Sequence, residues 1–226
     1  MPEALYLAST WVIPLLLAIT LHEAAHAFVA RFLGDDTASK LGRVTLNPFK
    51  HIDLVGTILL PGLLLLARSP FLFGYAKPVP VKFAALRNPR RNMVWVAAAG
   101  PATNIALAII AALGFHLIGI LPADSARWVA YNLKNALIIN VLLAIFNLFP
   151  LPPLDGGRIA VGLLPDVLAI PLARMERYGM LILLALLIIL PMLGRDLGVD
   201  LSIISRLLAI ASNAVIDVIL RVTGNV

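Results

Sequence analysis

Thr10-Trp11-Val12-Ile13-Pro14-Leu15-Leu16-Leu17-Ala18-Ile19-Thr20-Leu21-His22-Glu23-Ala24-Ala25-His26-Ala27-Phe28-Val29-Ala30 is apolar over nearly its whole length, yet carries two imidazoles and a carboxylate. A run of this length and composition reads as a helix that crosses a bilayer. Ionisable groups are costly to insert there, so they call for a functional reason. Positions i and i+4 share a helix face, which aims His22 and His26 the same way. The pattern H-E-x-x-H at that spacing offers two nitrogen ligands to one zinc, with Glu23 beside the metal as general base.

The rest of the chain agrees with a membrane setting. Of its 226 residues 61% are hydrophobic and only 13% charged, against about a quarter charged in a soluble domain. The net charge of +6 is read as topology information rather than as a nucleic-acid footprint. The absence of cysteine excludes disulfides and thiolate metal sites. The early charge is Glu3 rather than Lys or Arg, so the N-terminus is expected to be retained rather than cleaved as a signal peptide.

Outward from the motif, the first helix is predicted from residue 4 or 8 to Phe32-Leu33, with Gly34 as its stop. His22 then lies roughly 18 Å from the helix end, inside the membrane. Residues 34–51 are polar. The apolar stretch 52–66 is short for a span and is broken by Gly56, Pro61 and Gly62. Phe73-Gly74-Tyr75-Ala76-Lys77-Pro78-Val79-Pro80-Val81 reads as extended chain, since each Pro restricts itself and its predecessor. Further helices are predicted over about 92–121, 129–149 and 177–193, with a loop at 122–128. The segment 201–222 is a sixth span or an interfacial amphipathic helix. The expected fold class is an all-α polytopic membrane protein. It has about five to six transmembrane helices, with a re-entrant or extended segment between the first helix and the 92–121 helix. A single domain covers 1–226, with a core at about 10–165 and C-terminal helices at about 177–222.

A catalytic zinc takes three protein ligands and keeps one position open. His51, in a polar loop, reads as solvated or at headgroup level. His116, late in 92–121, reads as an ordinary membrane or interfacial histidine. Asp155 follows a Pro-rich break and precedes Gly156-Gly157, which allow close backbone approach. Irregular backbone at membrane depth is tolerated where it lines a protein cavity. An Asp there could reach a metal, or it could simply cap a helix.

These stretches resemble the site-2 protease family of intramembrane zinc metalloproteases. The resemblance rests on His22, Glu23 and His26. It rests equally on an N-x-x-P-x-P-P-L-D-G-G element at Asn147, Pro150, Pro152, Pro153, Leu154, Asp155, Gly156 and Gly157. Gly100-Pro101-Ala102-Thr103-Asn104 and the stretch 73–80 add to it. It covers roughly 10–165, in the minimal bacterial or archaeal form without an inserted peptide-binding domain or a nucleotide-sensing domain. It implies one Zn2+ per chain on His22, His26 and Asp155, with Glu23 as catalytic base. Asn147 is implied as a catalytic donor to the oxyanion or as a holder of the substrate backbone. The implied partners are a transmembrane-helix protein substrate and the lipid bilayer. Asn104 is read mainly as packing, with Gly100 and Ala102 permitting close helix approach.

Span parity is an independent check. If Asp155 is to meet the histidines, the first helix and 129–149 must end on one side, and 92–121 must start there. Residues 34–91 then begin and end on that side, so 52–66 cannot be a lone span. That side collects most Lys and Arg, including Lys40, Arg43, Lys77, Arg90, Arg91 and Arg158, leaving Arg127, Lys134 and Arg195 opposite. By the positive-inside rule it is the cytoplasm of a prokaryotic cell membrane. The expected activity is hydrolysis of peptide bonds within or near transmembrane helices of membrane-protein substrates, with stretch 73–81 as an edge on which an unwound substrate pairs. The alternatives are a membrane metal-ion transporter and a catalytically silent binding protein built on the same cluster.

Overall fold

A computed structural model of the chain describes residues 3–59, 63 and 77–226. Helix α1 (Glu3–Phe32) has 30 residues, roughly 45 Å at 1.5 Å per residue. It ends where its glycine predicts. Gly34 sits at φ 111°, its N–H bonds the Arg31 carbonyl, and the Asp35 N–H bonds the Ala30 carbonyl. This double closure is the Schellman ending that a left-handed glycine permits.

A single turn, α2 (Thr37–Lys40), follows. The chain then leaves at His51 and returns at Lys77, whose N–H donates to the His51 carbonyl at 3.0 Å. A stretch whose two ends are bonded together crosses a membrane an even number of times or not at all, so the required parity holds. Gly56 lies in a π-helical turn, Leu54–Leu59. The breaks at Pro61 and Gly62, and residues 73–76 of the extended stretch, lie outside the described residues. Residues 77–82 form no regular element, with Lys82 in the extended region, and no strand occurs among the described residues.

Helix α3 (Pro89–Gly114) opens on a proline at its first turn, where the missing N–H is no loss. It tightens into a 3-10 segment, Phe115–Ile120. Helix α4 (Ala123–Asn147) begins earlier than expected. The predicted loop 122–128 shrinks because the Pro122 carbonyl accepts both the Ala126 N–H and the Ser125 hydroxyl, closing a first turn. Small side chains let the helices close. Ala108, Ala111 and Ala112 pack on Leu137 and Val141, with Ile219 from the last helix. Polar links join α1 to α4: Asn135 Nδ2 to the Thr10 carbonyl at 3.0 Å and Trp128 Nε1 to Ser9 Oγ at 3.0 Å.

After a Pro-rich turn come α5 (Asp155–Leu163), α6 (Asp166–Arg174), α7 (Glu176–Leu184), a π-helical turn (Ala185–Ile189), α8 (Leu190–Asp196) and α9 (Ile203–Val222). Among the described residues five helical stretches are long and apolar enough to cross a membrane: Ala8–Phe32, Pro89–Ile120, Ser125–Asn147, Glu176–Asp196 and Ile203–Val222. The chain is an all-α polytopic membrane protein.

Helix α9 lies lengthwise along α4, and of the two readings of 201–222 its length and apolar composition fit a crossing. Ile204 and Leu208 pack near Phe146 and Phe149. Val215, Ile216 and Leu220 pack near Leu133 and Leu137. Thus α9 runs antiparallel to α4. Its end is tied to the far end of α3 by His116 Nε2 on the Thr223 carbonyl (2.7 Å) and by Asn225 Nδ2 on the Ala112 carbonyl (3.0 Å). Residues 162–166 touch Arg90 at the opposite end of α3. The stretch Glu176–Asp196 then leads to the start of α9.

Candidate metal centre

His22 and His26 stand one turn apart on α1, rings edge to face with centroids 4.7 Å apart. Their Nε2 atoms are 3.1 Å apart. Asp155 Oδ2 lies 3.2 Å from His22 Nε2 and 3.3 Å from His26 Nε2. All three residues are buried, at 7%, 8% and 6% exposure. Asp155 is not a cap: the N-cap of α5 is Leu154, without a side-chain bond, and Asp155 points from the first turn at the histidines.

Local packing explains how the carboxylate gets there. A Cβ on Gly156 would lie 2.1 Å from the Leu148 carbonyl oxygen, and one on Gly157 2.1 Å from the Pro152 nitrogen. The two glycines let the Pro-rich turn fold back against α5. Leu151 and Leu154 bury against Leu183 and Leu187 behind it. On the other flank, a Cβ on Gly100 would stand 2.5 Å from His22 Cε1 and His26 Nε2. Gly100 is thus the recess that holds both rings. Ala102, expected to share that work, is exposed.

The donor set fits a metal ion. The Val96 carbonyl accepts from His26 Nδ1 at 2.7 Å, and the Asn104 amide oxygen from His22 Nδ1 at 2.5 Å. With both Nδ1 atoms protonated, both neutral rings present an Nε2 lone pair. Asp155 Oδ2 is buried without a hydrogen-bond partner. Three acceptors facing one another in an apolar interior repel unless a cation sits among them. Tetrahedral zinc with bonds of about 2.0–2.1 Å sets its ligand atoms roughly 3.3 Å apart, which matches the spacing here. Among the described residues, His22, His26 and Asp155 form the group able to hold a metal.

Glu23 lies one residue on, about 100° round the helix. Its Oε2 accepts the Val79 N–H at 2.8 Å. Pro78 and Pro80 carry no N–H, and Lys77 spends its own on His51. Arg43 Nη2 donates to the Lys77 and Pro78 carbonyls at 2.7 and 3.5 Å. Residues 77–80 therefore keep no free backbone donor, and this part of the expected substrate edge is already committed to positioning Glu23. Asn147 donates to the Leu143 carbonyl at 3.0 Å, and no described hydrogen bond joins it to the cluster. His51 is buried, at 1% exposure, rather than solvated, with Nε2 against the Thr45 carbonyl at 3.0 Å. Neither His51 nor His116 approaches the centre.

The model of "Peptidase family M50" matches residues 115–190. The chain is 41% identical over 184 residues to "Putative zinc metalloprotease YwhC" of Bacillus subtilis (strain 168), covering 78% of this chain and 79% of that protein. The chain belongs to peptidase family M50, the site-2 protease family. Proteins with the same description, named Rip2, are also similar. The one from Mycolicibacterium smegmatis is 32% identical over 76% of this chain and 64% of its own length. The one from Mycobacterium tuberculosis (strain H37Rv) is 30% identical over 88% and 76%. No solved structure matches the chain. A His–His–carboxylate set in a peptidase of this family makes the chain a zinc metallopeptidase.

Val79, Val96 and Asn140 were not singled out by sequence reading. The first two act through backbone groups, which leave no mark on residue type. Asn140 had a signal: Asn132, Asn135, Asn140 and Asn147 lie in one apolar helix, and polar side chains there need partners.

Proposed function

We propose that this chain is an intramembrane zinc endopeptidase that cuts transmembrane helices of other membrane proteins, as in regulated intramembrane proteolysis. The observation that carries the reading is the convergence of His22, His26 and Asp155 on one point within a membrane helix bundle, beside a fastened Glu23. His22, His26 and Asp155 hold one Zn2+ per chain. Bound zinc lowers the pKa of its water to about 7 and polarises the scissile carbonyl. Glu23, steadied by Val79, accepts the proton of the attacking water and delivers it to the leaving amine. Asn147 serves as a donor to the oxyanion or to the substrate backbone, giving up its bond to Leu143 when it does. A regular helix hides its carbonyls in i to i−4 bonds, so the substrate is unwound locally before cleavage.

The working unit is one membrane domain over 1–226, with its core at about 10–165. The side on which α1 ends and α3 begins, where Lys40, Arg43, Arg87, Arg90 and Arg91 gather in the sequence, faces the cytoplasm of a prokaryotic cell, so the zinc lies nearer that face. The decisive experiment pairs purified wild type with Glu23→Gln on a labelled single-span substrate. Zinc-dependent cleavage should fall about 10²–10⁴-fold in the variant. Equal cleavage by both proteins would sink the proposal.

A further inference from the structure

We infer that Asn104 and Asn140 are positioning residues that fix the tautomer of His22 through a relay of directional hydrogen bonds anchored on backbone carbonyls. The inference rests on the reading of His22 as a zinc ligand. Asn104 is fully buried and Asn140 nearly so, at 0% and 3% exposure. Asn140 Nδ2 donates to the Ala136 carbonyl at 2.9 Å. A carbonyl can only accept, so the amide nitrogen must face it and Oδ1 must turn away. That oxygen accepts Asn104 Nδ2 at 2.8 Å. Asn104 Nδ2 also donates to the Ala18 carbonyl at 3.2 Å, a second backbone acceptor demanding the same orientation. Asn104 Oδ1 is then left against His22 Nδ1 at 2.5 Å. It too can only accept, so Nδ1 carries the proton.

The consequence lands on the metal centre. In a neutral ring with Nδ1 protonated, Nε2 is a bare lone pair. It faces His26 Nε2 and Asp155 Oδ2 at 3.1 and 3.2 Å. Turning the Asn104 amide over would put its NH2 at His22 Nδ1 and drive the proton onto Nε2, into the ligand position. Asn140 forbids that turn, because Asn104 would then face it oxygen to oxygen. The relay takes one side chain from each of α1, α3 and α4. His26 reaches the same state in one step, through the Val96 carbonyl. One ligand is thus locked by backbone, and the other by two amides that substitution can change. Outer-shell partners of this kind orient metal-bound histidines and tune their basicity.

The test substitutes the residue that never touches His22. Asn140→Leu and the smaller Asn140→Ala remove the acceptor that orients Asn104. Asn140→Asp keeps a side-chain oxygen of the same reach as an acceptor for Asn104. Zinc affinity of the purified protein, by chelator competition, is expected to fall about tenfold or more in the Leu and Ala variants. It should stay within a few-fold of wild type in the Asp variant. In zinc-free protein, 15N–1H spectra of His22 should show the Nδ1–H tautomer in wild type and Asn140→Asp, and Nε2–H appearing in the other two. Wild-type affinity and an unchanged tautomer in Asn140→Leu and Asn140→Ala overturn the inference. So does an equal loss of zinc in all three variants with the His22 signals unmoved. Neither readout needs a substrate, so failure of the relay and failure of the cleavage reading are told apart.

Discussion

Gly100 shows how little room the metal centre leaves. Any side chain there enters the space of both imidazoles, so Gly100→Ala should lower zinc content about tenfold or more while far-ultraviolet circular dichroism stays that of the wild type. Metal analysis of the purified variant checks it. Asp35 makes a different prediction, about pH. Burial pushes its carboxyl up, but the Thr37 hydroxyl and N–H and the Lys82 N–H together hold it below the ordinary value. A carboxyl lowered by folding contributes stability above its unfolded value and loses it as the pH falls. Wild type should therefore lose stability below about pH 4, and Asp35→Asn should lose less there. At pH 7 the variant should be weaker by about 2 kcal/mol, read from thermal unfolding in detergent. Equal pH profiles for the two proteins would refute this.

At the scale of the element, the Pro-rich turn is what delivers Asp155, and α7 braces it. A Cβ on Gly179 would lie 1.7 Å from the Pro152 carbonyl oxygen. Gly179→Ala should push α7 off the turn and destabilise the protein by about 1–3 kcal/mol. Unfolding in detergent measures the loss, and zinc retention should drop with it. A fully stable Gly179→Ala would mean that the turn is not braced there. The ligands themselves were legible in the sequence, because a histidine or aspartate in an apolar stretch declares a need for a partner. The helix end at Gly34 was legible for a local reason, since a left-handed turn favours glycine, whereas α3 opens at Pro89, ahead of the expected start at about 92. What residue type could not show is the fastening of Glu23. Val79 contributes a backbone N–H that any residue but proline would carry, and only the prolines on either side hint that this one donor matters. The brace at Gly179 was hidden because its partner, Pro152, lies 27 positions away in sequence and meets it only in the folded bundle.

Across the whole molecule, the direction of α9 decides where the chain finishes. Thr223 and Asn225 are bonded to the far end of α3, so the last residues share a side with the start of α1. Counting apolar segments alone would have set them opposite. The chain has no cysteine, so single introduced thiols report cleanly. Cysteines at Ser125 and Val226 should react with an impermeant maleimide from one face of sealed vesicles. One at Leu41 should react from the other. Labelling of position 226 together with position 41 would reject this arrangement.

The bond between the Lys77 N–H and the His51 carbonyl has a consequence of another kind. It makes the 25 residues between them a loop entered and left through one latched doorway. The doorway is tied to the scaffold by Arg43, and it hands Val79 to Glu23 whatever lies beyond it. A loop closed in this way can be lengthened, shortened or rewritten while the zinc ligands and the base stay in place. Changes in sequence between the two latched ends therefore need not disturb the metal ligands or the base.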